Sequence, residues 1–464
     1  MTTVDVRREW LALLDAHVCH RHEPAGDRYW CPEYDRMAPE ELRAVQERKL
    51  RGAVRYLYEL SPLYRRKLDG IGTSPEDLRS LDDLPQLPIT TKEEMSASVR
   101  EHPPFGEYTA VDDEHWNRHG WMLFNTSGTT AQPRSFRYTD VDREMWTWTD
   151  ARALWSMGVR PGDRALLCFG YGPHVAMWGM LYALNRMRVP VIPSGGMDSR
   201  GRAYALTTYR PTVISATPSY ALYLADVLHE GGGDARASGV RTIIALGEPC
   251  PEATRGRIRE AWGDVQIHEF YGCTEAAPSC GGYTCGHALH FMEDTHLVET
   301  VDPETHEPAR PGEPGLVVIT NLCSEASPQI RFLVGDFTTL SREECACGRT
   351  HVHCQGFQGR ADDMLNVRGV TLFPSAVEDM LRRLPGLGDE FQIVLDEAAG
   401  GRERFRLVVE VREGADAGDL AARVEEEAKS RFDLRPEVEA VPPGTLPKTE
   451  FKARRVRDER APRG

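Results

Sequence analysis

Between residues 120 and 330 short apolar runs alternate with segments of helical periodicity, and few architectures accommodate that pattern. RALLCFG, PTVISAT, VRTIIALG and VQIHEFYG read as buried strands, and AYALTTYR, YALYLADVLHE and EATRGRIREAWG as the helices between them. Such alternation implies an α/β domain with mixed, largely parallel sheets flanked by helices, whose ligands sit at the C-terminal ends of the strands. GEPGLVVIT reads as a strand outside the alternation. Leu42, Val45, Leu50, Val54 and Leu57 recur at helical spacing near the N-terminus. After Arg360 the pattern restarts on a smaller scale, with PSAVEDMLRRLP and AGDLAARVEEEAKSRF as helices and FQIVLD and RFRLVVEVRE as strands. The expected division is a large domain over 1–361 and a small α+β domain over 362–464.

The strand ends carry unusual residues. TSGTTAQPR, residues 126–134, follows the strand-like WMLF. Its small hydroxyl residues suit neither an apolar core nor a helix interior. They suit a turn whose backbone N–H groups and hydroxyls converge on an anion. One strand stops at Gly247-Glu248-Pro249, another at Tyr271-Gly272-Cys273-Thr274-Glu275. Gly335-Asp336, Arg360-Ala361-Asp362 and Pro447-Lys448-Thr449-Glu450-Phe451-Lys452 follow. Lysine is scarce: six stand among 56 basic residues, so one inside such a segment is informative. A net charge of −15 disfavours nucleic acid or an anionic membrane as partner. MTTVDVRREWLALLDAH lacks the pattern of a secretory leader, and VAMWGMLYAL is too short to span a bilayer. A cytoplasmic chain is therefore expected, its 11 cysteines serving as thiols or metal ligands rather than disulfides.

In order and spacing these segments resemble the adenylate-forming superfamily of acyl-CoA synthetases, and within it the phenylacetate-CoA ligase group. LPQLPITTKEEM, GRADDMLNVRGVTLFPSAVEDML and GTLPKTEFKARRVRD extend the likeness over nearly the whole chain. The resemblance implies ATP, Mg²⁺ and CoA, and a small C-terminal domain that is mobile about Asp362. It gives Ser127, Gly128, Thr129 and Thr130 to the β- and γ-phosphates. Arg134 stands where the family usually has lysine and adds a permanent charge there; Ala131 replaces a usual glycine. Gly247, Glu248 and Pro249 line the adenine, Tyr271 packs on its face, and Gly272 belongs to the same turn. Thr274 touches the α-phosphate and Glu275 holds Mg²⁺. Asp336 accepts from the ribose hydroxyls and Arg360 approaches the same sugar. Lys452 brings its ammonium to the α-phosphate, while Lys448, off the family position, reads as solvated. The bland alternative for Arg360 and Asp362 is a surface ion pair.

Cys280 and Cys285 follow the Glu275 loop and Cys345-Ala346-Cys347-Gly348 precedes the small domain, with His287, His290, His351, His353 and Cys354 nearby. Cys280, Cys285, Cys345 and Cys347 are the expected ligands of a structural Zn²⁺; buried free thiols are the alternative. Cys168, Cys273 and Cys323 read as core.

The reaction implied is adenylation of a small or aryl carboxylic acid and transfer to CoA, with a homodimer as an option of assembly. Two rivals are a ligase that hands its acid to a carrier protein or an amine, including nitrite activation for diazotisation, and a nucleotide-binding protein without catalysis. Tyr171, His174, Met177, Trp178 and Ala276 are the expected acid-binding residues. Met177 replaces a glycine of the phenylacetate ligases and fills space a ring needs, so an acid smaller or more polar than phenylacetate is expected. Met177 pointing into the core behind the pocket is the alternative.

Overall fold

The computed structural model describes residues 3–18, 21–126, 133–173, 175–276, 282–367, 370–398, 402–448 and 455–460. The architecture is a two-domain α/β one, with a large mixed-sheet N-terminal core and a small C-terminal α+β domain. Contacts group the chain into two compact units, Met1–Gly196 with His268–Gln355, and Met197–Ile267 with Gly356–Gly464. Among the described residues no helix is long and apolar enough to cross a membrane.

In the first unit, the helices Thr3–Asp15 and Pro39–Leu60 bury Val6, Trp10 and Leu14 against Leu50, Val54 and Leu57, the stripe its periodicity announces. The strands Ala165–Leu167 and Val191–Ile192 pair parallel. The strand ending at Tyr271 continues antiparallel through Gly282–Thr284, Leu289–His290 and His353–Cys354. A meander of His296–Val301, Gly315–Asn321 and Phe332–Thr338 accounts for GEPGLVVIT and is antiparallel. In the second unit, Val213–Ala216 and Thr242–Ala245 pair parallel, each followed by its helix, Pro218–Glu230 and Glu252–Trp262. The C-terminal domain packs Val377 and Met380 of Pro374–Arg382 and Val424 of Ala417–Phe432 onto Ile393, Leu395 and Leu407 of the hairpin Leu387–Ala398/Arg402–Val411.

The first unit is organised round a buried charge. Arg152 donates to Asp35 at 2.8 Å and Asp294 at 2.9 Å, with none of the three side chains more than 1% exposed. Lys49, one of the scarce lysines, is fully buried and donates to the Asp294 carbonyl at 2.7 Å. One disulfide corrects the cysteine expectation: Cys31 is bonded. Redox surroundings bear on how long a disulfide persists, not on whether two thiols lie within bonding reach. The other eight described cysteines are free. Cys168 and Cys323 are core residues as expected, whereas Cys273 is half-buried.

Burial alone raises the Asp294 carboxyl, but Arg152, His351 and Lys49 outweigh it and hold the group at about 2. A depressed carboxylate stabilises the fold above its unfolded value and loses that contribution as pH falls toward 2. Asp294→Asn leaves Arg152 undercompensated and should cost about 3 kcal/mol at pH 7. The difference between the urea midpoints of wild type and variant should be smaller at pH 3 than at pH 7, since part of the carboxylate's contribution is lost there.

Candidate active site

Residues 127–132 lie outside the described residues, so the expected phosphate turn of Ser127, Gly128, Thr129 and Thr130 is seen only at its neck. There Gly120–Asn125 pairs with Ser135–Thr139, the Ser135 hydroxyl donates to Asn125 Oδ1 at 2.8 Å, and the Arg134 amide donates to Thr126 Oγ1 at 3.1 Å. The pairing of Asn125 with Ser135 holds Arg134 next to the neck.

Arg134 and Glu275 meet. Nη2 donates to Oε1 at 2.7 Å and Nη1 to Ser96 Oγ at 3.3 Å, and the ion-paired side chains are 10% and 8% exposed. Arg134 Nε is buried and has no hydrogen-bond partner among the described residues. The backbone around Glu275 is pinned on both sides. The Tyr138 hydroxyl donates to the Thr274 carbonyl, and His296 Nε2 donates to the carbonyl of the buried Ala276 at 3.0 Å. Burial lowers His296 to about 4, so the ring is neutral near pH 7, with its proton on the nitrogen that faces the carbonyl. The carboxylate is a hard oxygen donor of the kind Mg²⁺ takes.

The same unit brings Tyr271 and Asp336 together: the Tyr271 hydroxyl donates to Asp336 Oδ2 at 2.7 Å, and its ring meets Phe291 edge-on at 6.0 Å. Asp336 is buried at 7% exposure beside Gly335, whose φ of +88° is the left-handed region that favours glycine. Trp178 donates to the Gly172 carbonyl at 3.2 Å and lies 5.8 Å from the Tyr171 ring, which is 42% exposed. Met177, on the same helix, is buried at 2% exposure. His174 lies outside the described residues.

The second unit holds the remaining candidates. Gly247 has φ +82° and is exposed, with Pro249, at the end of its strand. The Glu248 carboxylate accepts from the Ser219 amide at 3.2 Å and hydroxyl at 2.7 Å, capping the helix Pro218–Glu230 at its positive end. Arg360 and Asp362 pair at 3.2 Å, 33% and 61% exposed. Lys452 lies outside the described residues. Lys448 is not simply solvated: it pairs with Asp226 at 2.8 Å and lies 5.5 Å from the Tyr223 ring centroid.

A second cluster stands apart in chemistry. One donor atom from each of Cys285, His290, Cys345 and Cys347 lies within 4.8 Å of every other. Cys285 and Cys345 sulfurs are 3.8 Å apart, and Cys347 Sγ is 3.3 Å from His290 Nε2. His290 Nδ1 faces the His351 carbonyl at 3.3 Å, which places its proton there and leaves Nε2 to a metal. Cys280 lies outside the described residues. The histidine could have been found from the sequence. CGHALH makes a hairpin turn between Gly282–Thr284 and Leu289–His290, and that turn returns His290 alongside Cys285.

The family model for AMP-binding enzymes matches residues 69–323, and that for the AMP-binding enzyme C-terminal domain matches 369–460. A phenylacetate-coenzyme A ligase of Thermus thermophilus is 35% identical over 92% of this chain and 99% of its own length; that of Escherichia coli is 31% identical over 91% and 95%. The chain belongs to the adenylate-forming superfamily, in its phenylacetate-CoA ligase-like family. Among solved members, a 2-hydroxyisobutyryl-CoA ligase with 2-HIB-AMP in the postadenylation state superposes with a TM-score of 0.89 at 30% identity, over 96% of both chains. Tyr271 ends its strand and Thr274 and Glu275 follow it, whereas Asp336 lies inside the strand Phe332–Thr338. What spacing did not disclose is that Arg134 and Glu275 are paired with each other.

Proposed function

We propose that this ligase activates a compact acid, smaller or more polar than phenylacetate. The general reaction follows from family membership: an acid is adenylated with ATP and the acyl group passes to CoA. The observation that carries the site reading is the gathering, within one unit, of a paired Arg134 and Glu275 with a paired Tyr271 and Asp336. We assign Ser127, Gly128, Thr129, Thr130 and Arg134 to the phosphates, Thr274 and Lys452 to the α-phosphate, and Glu275 to Mg²⁺. Gly247, Glu248, Pro249, Tyr271 and Gly272 are assigned to the adenine, and Asp336 and Arg360 to the ribose. Asp362 is the hinge, with the domain boundary at 361/362. When ATP is bound, Mg²⁺ neutralises charge on its phosphates. Preorganised positive groups at a developing charge are typically worth about 2.7–4 kcal/mol.

For the acid we assign Tyr171, His174, Met177, Trp178 and Ala276. The solved relative named for 2-hydroxyisobutyryl-CoA favours a small substrate. Overpacking of about 1–3 kcal/mol is enough to reject a ring. We further assign a structural Zn²⁺ to Cys285, His290, Cys345 and Cys347; three sulfurs and one imidazole, with the far ring nitrogen held, are the donor set zinc takes.

Two measurements test these assignments. AMP formation with CoA should be at least tenfold faster with 2-hydroxyisobutyrate or a small hydroxy- or aminobenzoate than with phenylacetate, and Met177→Gly should raise the phenylacetate rate. Fast phenylacetate turnover unchanged by that substitution contradicts the pocket assignment, and AMP formed only from nitrite with an aryl amine, without CoA, contradicts the acceptor. Elemental analysis of protein purified without a metal-binding tag should give about one zinc per chain, lost with a lower thermal midpoint in Cys345→Ser/Cys347→Ser. Zinc-free protein whose thiols titrate freely in the native state rules the metal out.

A further inference from the structure

The geometry points to Arg134 as a stand-in for the divalent cation at Glu275. It occupies the carboxylate until metal and nucleotide arrive together, and then passes to the phosphate. The inference rests on the ligase reading, which gives Glu275 to the metal, and adds what this chain does before the metal is there.

The backbone that carries the carboxylate is fixed, because Tyr138 and His296 hold the carbonyls of the residues on either side of it. Arg134 is the movable partner. Its guanidinium ends a long side chain that holds Glu275 with Nη2 and Ser96 with Nη1 while Nε, buried, bonds to nothing among the described residues. A buried N–H without an acceptor is unfavourable, and a phosphate oxygen entering beside the neck of the hairpin is an acceptor of the right charge. Arg134 holds Oε1, and a divalent cation on either oxygen of Glu275 would stand within a few ångströms of that guanidinium and be repelled by it. Metal alone must therefore displace the arginine. Metal that arrives on ATP offers phosphate oxygens to the guanidinium it displaces, so the exchange conserves the number of charge-assisted hydrogen bonds. Lysine at this position would not substitute, because a single ammonium lacks the fork that spans Glu275 and Ser96 at once. The device also keeps Glu275 from repelling the phosphates as they enter.

Mn²⁺ alone, titrated by electron paramagnetic resonance on the full chain without nucleotide, reads the uncovered carboxylate. Wild type should bind it weakly, Arg134→Met about tenfold more tightly, and Arg134→Lys in between; Arg134→Met/Glu275→Gln should return to the weak value. Calorimetric titration with ATP in EDTA and with MgATP supplies the second readout. The ratio of the two affinities should grow about tenfold in Arg134→Met, because metal-free ATP then meets an unpaired carboxylate. Equal Mn²⁺ affinity in wild type and both single variants overturns the inference, as does an unchanged ATP ratio. A wild type that binds ATP under neither condition overturns the ligase reading instead. Should Arg134→Met not fold, Arg134→Lys, which keeps the charge, still distinguishes the outcomes.

Discussion

The buried charge of Arg152 is the interaction on which the first unit depends. A guanidinium taken wholly out of water must be paired, and its two partners come from distant parts of the chain: Asp35 from the N-terminal region and Asp294 from the turn before His296–Val301. That turn is a junction. The Gln46 amide donates to the Glu293 carbonyl at 3.0 Å and Lys49 to that of Asp294. The Glu293 carboxylate takes Arg342 at 2.6 Å and the Val352 amide at 2.7 Å, and its own amide donates to His351 at 3.0 Å. Two residues on, His296 fixes the carbonyl beside Glu275. One short segment thus sets the N-terminal helices, the cysteine-rich loop and the proposed metal carboxylate relative to each other within that unit.

The two proposed cation sites differ in their donor chemistry. At Glu275 the donor is a hard oxygen, already neutralised by a permanent cation. At the cysteine cluster the donors are soft sulfurs and a nitrogen whose tautomer is set by a carbonyl. Hydrogen bonds of the turn around Glu293 and Asp294 reach the backbone of both, since His351, whose carbonyl faces His290, is itself held by the Glu293 amide.

Much of this was legible in the sequence, because burial on two faces and helical periodicity leave marks on single stretches of chain. PTVISAT and VRTIIALG are strands, YALYLADVLHE and EATRGRIREAWG lie within helices, and the small domain alternates as expected. The strand-end residues were legible because Gly, hydroxyl and carboxylate residues are poor core material. What escaped were relations between stretches. Nothing in TSGTTAQPR says that its arginine meets a glutamate 141 residues later, nor in PKTEFK that Lys448 reaches Asp226. His290 escaped because its place five residues after Cys285 has meaning only when CGHALH is read as a hairpin turn. Cys31 escaped because compartment arguments say nothing of distance.

The central claim is that the acid attacks the α-phosphate of ATP, and the fate of its oxygen tests it most directly. An acid that supports turnover, labelled with ¹⁸O in its carboxylate and converted in the presence of ATP and CoA, should deliver one labelled oxygen to the phosphate of AMP, as an acyl-adenylate requires. Label appearing in inorganic phosphate, with ADP as the nucleotide product, would mean an acyl-phosphate route and would contradict the account.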